Sequence, residues 1–204
     1  MRTKSLLMVV LIIINCGGSL VSAQNDLIEN LQQMRSFKSD FVEHRYDENG
    51  QLIVSVPGTC SLMRPNMFRW QYLGKNEEQH VISDGTTLWV YEPELEQVFI
   101  KRAKDVEESA VLQLLSQNNE LGELYKAEQL SSGNWYRLRL VSDELNPLVD
   151  VHYVNGTIRS IKSSDPSGRS TIINFINPEV NLRLPESDFK FEPPAGIDII
   201  DDYY

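Results

Sequence analysis

A chain of 204 residues with 41% apolar and 24% charged residues is long enough to bury one sizeable core and shorter than two average domains, so one domain is expected. Its formal charge of −10 at neutral pH argues against nucleic acid or an anionic membrane surface as the main partner.

Arg2 and Lys4 precede the apolar run Leu6 to Ile14, and Val21-Ser22-Ala23 has the small-x-small pattern of a signal-peptidase site. The run is too short to span a bilayer as a mature helix, and polar Asn15, Gly17 and Gly18 follow it. Residues 1–23 are therefore expected to be an export signal and residues 24–204 the mature domain. Cleavage lowers Lys plus Arg from 19 to 17 against 29 acidic residues, a formal charge of −12. Cys16 carries a competing reading, lipid attachment as in a bacterial lipoprotein, but that processing needs a small residue where Asn15 stands. Cys60 is the cysteine left after cleavage, so no internal disulfide is available and the core must supply the stability.

Asn25 and Asp26 are suited to cap a first helix in which Leu27, Ile28, Leu31 and Met34 recur at helical spacing. From Phe37 the period becomes two. Phe37, Ser39, Phe41 and Glu43 share one face, and Lys38, Asp40, Val42 and His44 the other. Asp47-Glu48-Asn49-Gly50 turns the chain into Leu52 to Val56 as a hairpin, and Pro57-Gly58 predicts a bulge or bend before Thr59 to Met63. Arg64-Pro65 closes that strand. In the next, Phe68, Trp70 and Tyr72 lie opposite Met67, Arg69 and Gln71. Asp84-Gly85 joins His80 to Ile82 with Leu88 to Tyr91, and Pro93 to Glu96 turns into Gln97 to Ile100.

Ser109 is placed to cap a short helix holding Val111, Leu112, Leu114 and Leu115, whose wide apolar stripe must cover an apolar surface. Residues 121–128 fit either a short helix or a strand. Strands follow at Trp135 to Val141, Leu148 to Tyr153 and Ile158 to Lys162, with Asn155-Gly156 a strong type I′ hairpin signal. Another follows at Thr171 to Ile176. A last edge strand begins at Phe189, with rigid extended chain after it through Pro193-Pro194. The sum is a mainly β single domain with helices. About ten or eleven antiparallel strands form a curled sheet or open barrel covered by helices on one side.

His44, His80 and His152 lie at no metal-ligand spacing from Cys60 or from one another. Cys60 alternates with Leu62 and reads as a small buried residue, while Ser167-Gly168 lacks the glycines of a nucleophile elbow. Asp47 begins a run like a calcium loop, but its twelfth position is Gly58, so a plain turn is expected. No catalytic residue, metal or cofactor is expected. What stands in excess is apolar surface, since the strands from Met67 to Ile100 are apolar on both faces in places. A curled sheet under a helical layer either encloses a cavity for an apolar ligand or fills with a solid core, and composition leaves both open.

Several motifs occur in a specific order: Gly58 through Arg64-Pro65, Phe68-Arg69-Trp70, Val81-Ile82-Ser83-Asp84-Gly85, Leu88-Trp89-Val90-Tyr91, Glu96-Gln97-Val98, and Phe189-x-Phe191-x-Pro193-Pro194-x-Gly196-Ile197-Asp198. Together they resemble the periplasmic outer-membrane lipoprotein carrier family, LolA. The resemblance implies an incomplete antiparallel β-barrel with a helical lid, and a soluble, monomeric periplasmic chaperone without enzymatic activity. It implies acylated lipoproteins as cargo, taken from an inner-membrane ABC transporter and passed to an outer-membrane acceptor lipoprotein. It further implies that Arg64 latches the lid and that Ser109, Val111, Leu112, Leu114 and Leu115 form the lid helix. Cys60, Phe68, Trp70, Leu88, Trp89 and Val90 would line the hydrophobic cavity. An outer-membrane acceptor or a lipid-sensing regulatory protein of the same fold is the alternative. The chain departs from the family pattern at Glu92, where Asp or Asn often follows the tyrosine, and its lid lacks the proline and aromatic residue often found near the start.

Overall fold

The computed structural model describes residues 27–75, 77–103, 110–116, 121–131, 133–141 and 148–201. The expected export signal with Cys16, the cap residues Asn25 and Asp26, and Ser109 lie outside the described residues. Helix α1 (27–33) leads into strands β1 (Ser36–Tyr46), β2 (Leu52–Met63), β3 (Met67–Gly74), β4 (Glu77–Asp84), β5 (Thr87–Glu92) and β6 (Gln97–Arg102). Helices α2 (Ala110–Ser116) and α3 (Leu121–Leu124) precede β7 (Tyr125–Gln129), β8 (Trp135–Leu140), β9 (Leu148–Val154), β10 (Thr157–Ser164), β11 (Ser170–Val180) and β12 (Asp198–Asp201).

All twelve strands join one sheet in the order β12-β6-β5-β4-β3-β2-β1-β11-β10-β9-β8-β7, and its two ends do not meet. The expected incomplete barrel is therefore present as an open sheet. It consists of two antiparallel meanders, β1 to β6 and β7 to β11, sewn together by the long pair β1–β11. That seam carries one irregularity, between Lys38 and Asp40, where β11 has an extra residue. Asn177 adopts φ 52° there, a left-handed conformation that Asn tolerates in a bulge. The Ser39 hydroxyl donates to the Ile176 carbonyl at 2.9 Å beside it.

Local chemistry fixes the hairpins. Asn155 and Gly156 take φ 52° and 78°, the positive pair that a type I′ turn needs. The Asp84 carboxylate accepts from the Thr86 and Thr87 amides at 2.9 and 2.8 Å. Asp47 Oδ1 likewise accepts from the Asn49 and Gln51 amides at 3.0 and 2.8 Å, so this carboxylate organises a turn, as expected.

Three expectations need correction. Residues 121–128, left between helix and strand, are both: α3 runs directly into β7. Pro57-Gly58 makes no bulge, because β2 passes through it in unbroken register with β1. The β3 ladder begins only at Gly58, so Pro57 is paired on one side, a position Pro tolerates. Gly58 is required for a different reason: a Cβ there would collide with the Phe41 ring and the Gln71 carbonyl. The third correction concerns Phe189, which stands at the end of a 3-10 turn (Glu186–Phe189) and not in a strand; the last strand is β12, parallel to β6.

The sheet is covered on both faces, which accounts for strands that are apolar on both sides. One face, here the inner one, packs Phe37, Phe41, Cys60, Leu62, Phe68, Trp70 and Leu88 with Leu27, Leu31 and Met34 and with Val111, Leu112, Leu114 and Leu115 of α2 in a single cluster. Helix α2 touches β2 and β10, strands separated by β1 and β11, so the sheet wraps beneath it. On the outer face the tail after β11 crosses β3 and β4. Phe189 is fully buried there, and Phe191 lies 6.2 Å from Trp89 and 5.4 Å from Tyr91, centroid to centroid. Arg69 pins this tail by donating to the carbonyls of Asp188 and Lys190 at 2.7 and 2.8 Å.

Candidate functional site

Alternation places the inner-face rings in register. Phe41 contacts Trp70 at 4.6 Å and Tyr72 at 5.5 Å between centroids, and Phe175 of β11 closes on Phe37 at 5.0 Å and Trp70 at 6.2 Å. Offset and edge-on pairs of this kind make a stiff apolar wall. Burial pushes the Cys60 thiol far above its ordinary pKa, so Cys60 is a wall residue and not a poised nucleophile.

Arg64 stands at the end of β2, before a cis Arg64–Pro65 peptide. Its guanidinium donates from Nε to the Leu115 carbonyl at 3.0 Å and from Nη2 to the Leu114 carbonyl at 3.1 Å. Nη1 reaches the Leu31 carbonyl near the end of α1. The last carbonyls of a helix lack partners within it and carry the negative end of its dipole. Helix α2 has no basic residue in its last turn, so Arg64 supplies the missing cation from the sheet. The Asn66 amide adds a bond to the Ser116 carbonyl at 3.1 Å. Burial pulls the Arg64 pKa down to about 10, and the group still carries its charge at neutral pH.

The far end of the same face is polar. Glu43 is the one charged residue among the buried described residues. Its Oε1 accepts from Arg45 Nε at 2.6 Å, its Oε2 accepts from the Tyr72 hydroxyl at 2.9 Å, and Arg45 also meets Glu77 at 3.2 Å. Burial, reinforced by the Glu43 charge, pushes the Tyr72 phenol well above its ordinary pKa. Beyond Tyr72 lies an open cleft of about 350 Å³ that Arg45, Glu77, Glu92 and Leu95 also line.

Cys60, Phe68, Trp70 and Leu88 thus meet in one cluster, with Val90 packed against it, and Val111, Leu112, Leu114 and Leu115 cover them. Trp89 is not among them. Its neighbours Leu88 and Val90 face inward, so the pleat turns Trp89 outward beneath Phe191. Sequence reasoning passed over the Glu43, Arg45 and Tyr72 group, although a carboxylate at an apolar parity of β1 was a visible signal. Among the described residues, no three or more His, Cys, Asp or Glu gather as metal ligands would.

Residues 32–192 match the family model described as outer membrane lipoprotein carrier protein LolA. An outer-membrane lipoprotein carrier protein of Dechloromonas aromatica is 31% identical over 182 residues, 87% of each chain. One of Hahella chejuensis is 29% identical over 192 residues, 91% of this chain and 89% of that one. Among solved structures, a DUF1329 family protein of Desulfovibrio piger aligns over 84% of this chain and 97% of its own with a TM-score of 0.55 and 12% identity, a likeness of fold. The family is one of carriers and not of enzymes. With the family model matching residues 32–192, from the end of α1 to the outer-face tail, the chain belongs to the outer membrane lipoprotein carrier protein LolA family.

Proposed function

We propose that this chain is a periplasmic, monomeric chaperone that shelters the acyl chains of lipoproteins on its inner face. It receives them from an inner-membrane ABC transporter and delivers them to an outer-membrane acceptor lipoprotein. The observation that carries the reading is the Arg64 bridge. A single residue at the end of β2 holds the ends of α1 and α2 over the apolar wall: lifting α2 breaks its bonds to the Leu114 and Leu115 carbonyls together, and the bond to the Leu31 carbonyl ties α1 to the same guanidinium.

On this reading α2 is the lid, Arg64 its latch, and Phe68, Trp70, Leu88, Val90 and Cys60 the wall uncovered when it lifts. Cargo burial is strong, about 0.8 kcal/mol for each methylene, so a carrier that only bound would never let go. The closed arrangement, in which α1 and α2 occupy the same wall, competes with the cargo and offsets part of that burial. Trp89, on the outer face, supports the sheet and takes no part in holding lipid.

The test is mass spectrometry of the protein purified gently from its own periplasm, with transfer of the bound material to vesicles bearing an acceptor. Acylated lipoprotein released by detergent, and passed on without energy input, is the expected result. A protein that carries no acylated species and does not take one up in vitro refutes the carrier reading. Lipid on Cys16 would instead mark a membrane-anchored acceptor.

A further inference from the structure

We infer that the Glu43, Arg45 and Tyr72 group is a stop that sets how deep an acyl chain enters the inner face, and so which chain lengths are held; this rests on the carrier reading above. Phe37, at the lid end, and Glu43 share the inner face of β1 six residues apart, about 20 Å at the rise of a strand. The hydrocarbon of one membrane leaflet, half a bilayer core, is about 15 Å deep. The apolar track therefore ends about one acyl chain's length from the lid.

What ends it is a charge whose two oxygens are both engaged, one by Arg45 and one by Tyr72. A methyl terminus pushing further must part those groups and leave a carboxylate buried without partners, a penalty that the next few methylenes do not repay. Tyr72 is the hinge of the arrangement. Its ring packs on Phe41 on the inner side, and the same residue lines the open cleft beyond. Taking the ring away joins the apolar track to that cleft.

The experiment uses the full mature chain and triacylated lipopeptides of one headgroup, their acyl chains lengthened stepwise. Binding is read by displacement of an environment-sensitive apolar probe. Wild-type affinity is expected to climb about fourfold for each buried methylene and then to break to a plateau. Tyr72→Ala and Tyr72→Leu are expected to move the break to longer chains, whereas Tyr72→Phe, which keeps the ring, leaves it in place. Tyr72→Leu retains apolar packing on Phe41 and carries the test should Tyr72→Ala unfold. A break at the same length in wild type and Tyr72→Leu overturns the stop, as does a wild type with no break. Failure of every lipopeptide to displace the probe is a different result: it overturns the carrier reading itself.

Discussion

Replacing Arg64 with Leu removes three donors from the ends of α1 and α2 while keeping an apolar stem. Each bond from a charged donor contributes about 1.5–3 kcal/mol net, so three set a ceiling of about 5–9 kcal/mol. Against that stands the burial that draws the Arg64 pKa down to about 10, which corresponds to roughly 3 kcal/mol against the charged form. Ordering a long side chain costs up to about 2 kcal/mol more. A surplus of up to about 4 kcal/mol remains for the closed arrangement, about 2 kcal/mol at the middle of the range, and losing that middle value makes lifting of α2 about 30-fold more frequent. Native-state hydrogen exchange reads this directly: the α2 amides lose protection by that factor, while those of β1 do not. Because the helices then compete less well for the wall, the Arg64→Leu protein holds acylated cargo longer and passes it to acceptor vesicles more slowly. Wild-type exchange at α2, or wild-type transfer, refutes the latch. Arg64→Lys falls between, since an ammonium does not reach three carbonyls in fixed fork geometry.

Three further outcomes are expected. Gly58→Ala forces a methyl against the Phe41 ring and the Gln71 carbonyl, an overpacking cost of about 1–3 kcal/mol that a thermal melt registers as a lower Tm. Phe189→Ala empties a fully buried site on the outer face at about 3–5 kcal/mol; it shifts the Trp89 fluorescence to the red and leaves apolar-probe binding on the inner face intact, and a loss of that binding would contradict the two-sided architecture. Cys60 has its thiol pKa raised by burial, so at about pH 9, where half or more of an ordinary cysteine is thiolate, it stays protonated; a disulfide reagent reacts slowly with the native protein and quickly in denaturant, and a native rate equal to that of free cysteine would refute its place in the wall.

The parts of the fold that were legible in the sequence are those governed by neighbours in the chain. The alternation of Phe37, Ser39, Phe41 and Glu43 is the burial pattern of β1, and Asn155-Gly156 makes the turn that its φ angles favour. The family was legible because motifs such as Arg64-Pro65 and Phe68-Arg69-Trp70 keep their order over most of the chain. What escaped depends on partners distant in sequence. Alternation says that Trp89 and Leu88 face opposite ways but not which of them meets the helices; the tail around Phe191 decides that from a hundred residues away. Pro57-Gly58 looked like an interruption because the end of the β3 ladder and the Phe41 ring, which make both residues fit, appear only once the strands are paired. β12 has four residues and gains its place only through β6, to which it runs parallel.

The pair β1–β11 has a consequence for how the molecule comes into being. Each meander closes by short hairpins, but the strands that join them bring together residues such as Ser39 and Ile176, 137 positions apart. β1 therefore keeps one bare edge, bordered by Phe37 and Phe41, from the time it is made until β11 follows it. Nonlocal pairings of this kind are slow to form, and an unpaired apolar edge invites pairing with the wrong chain. A protein proposed to shield the greasy parts of others thus needs shielding itself until its last long strand arrives.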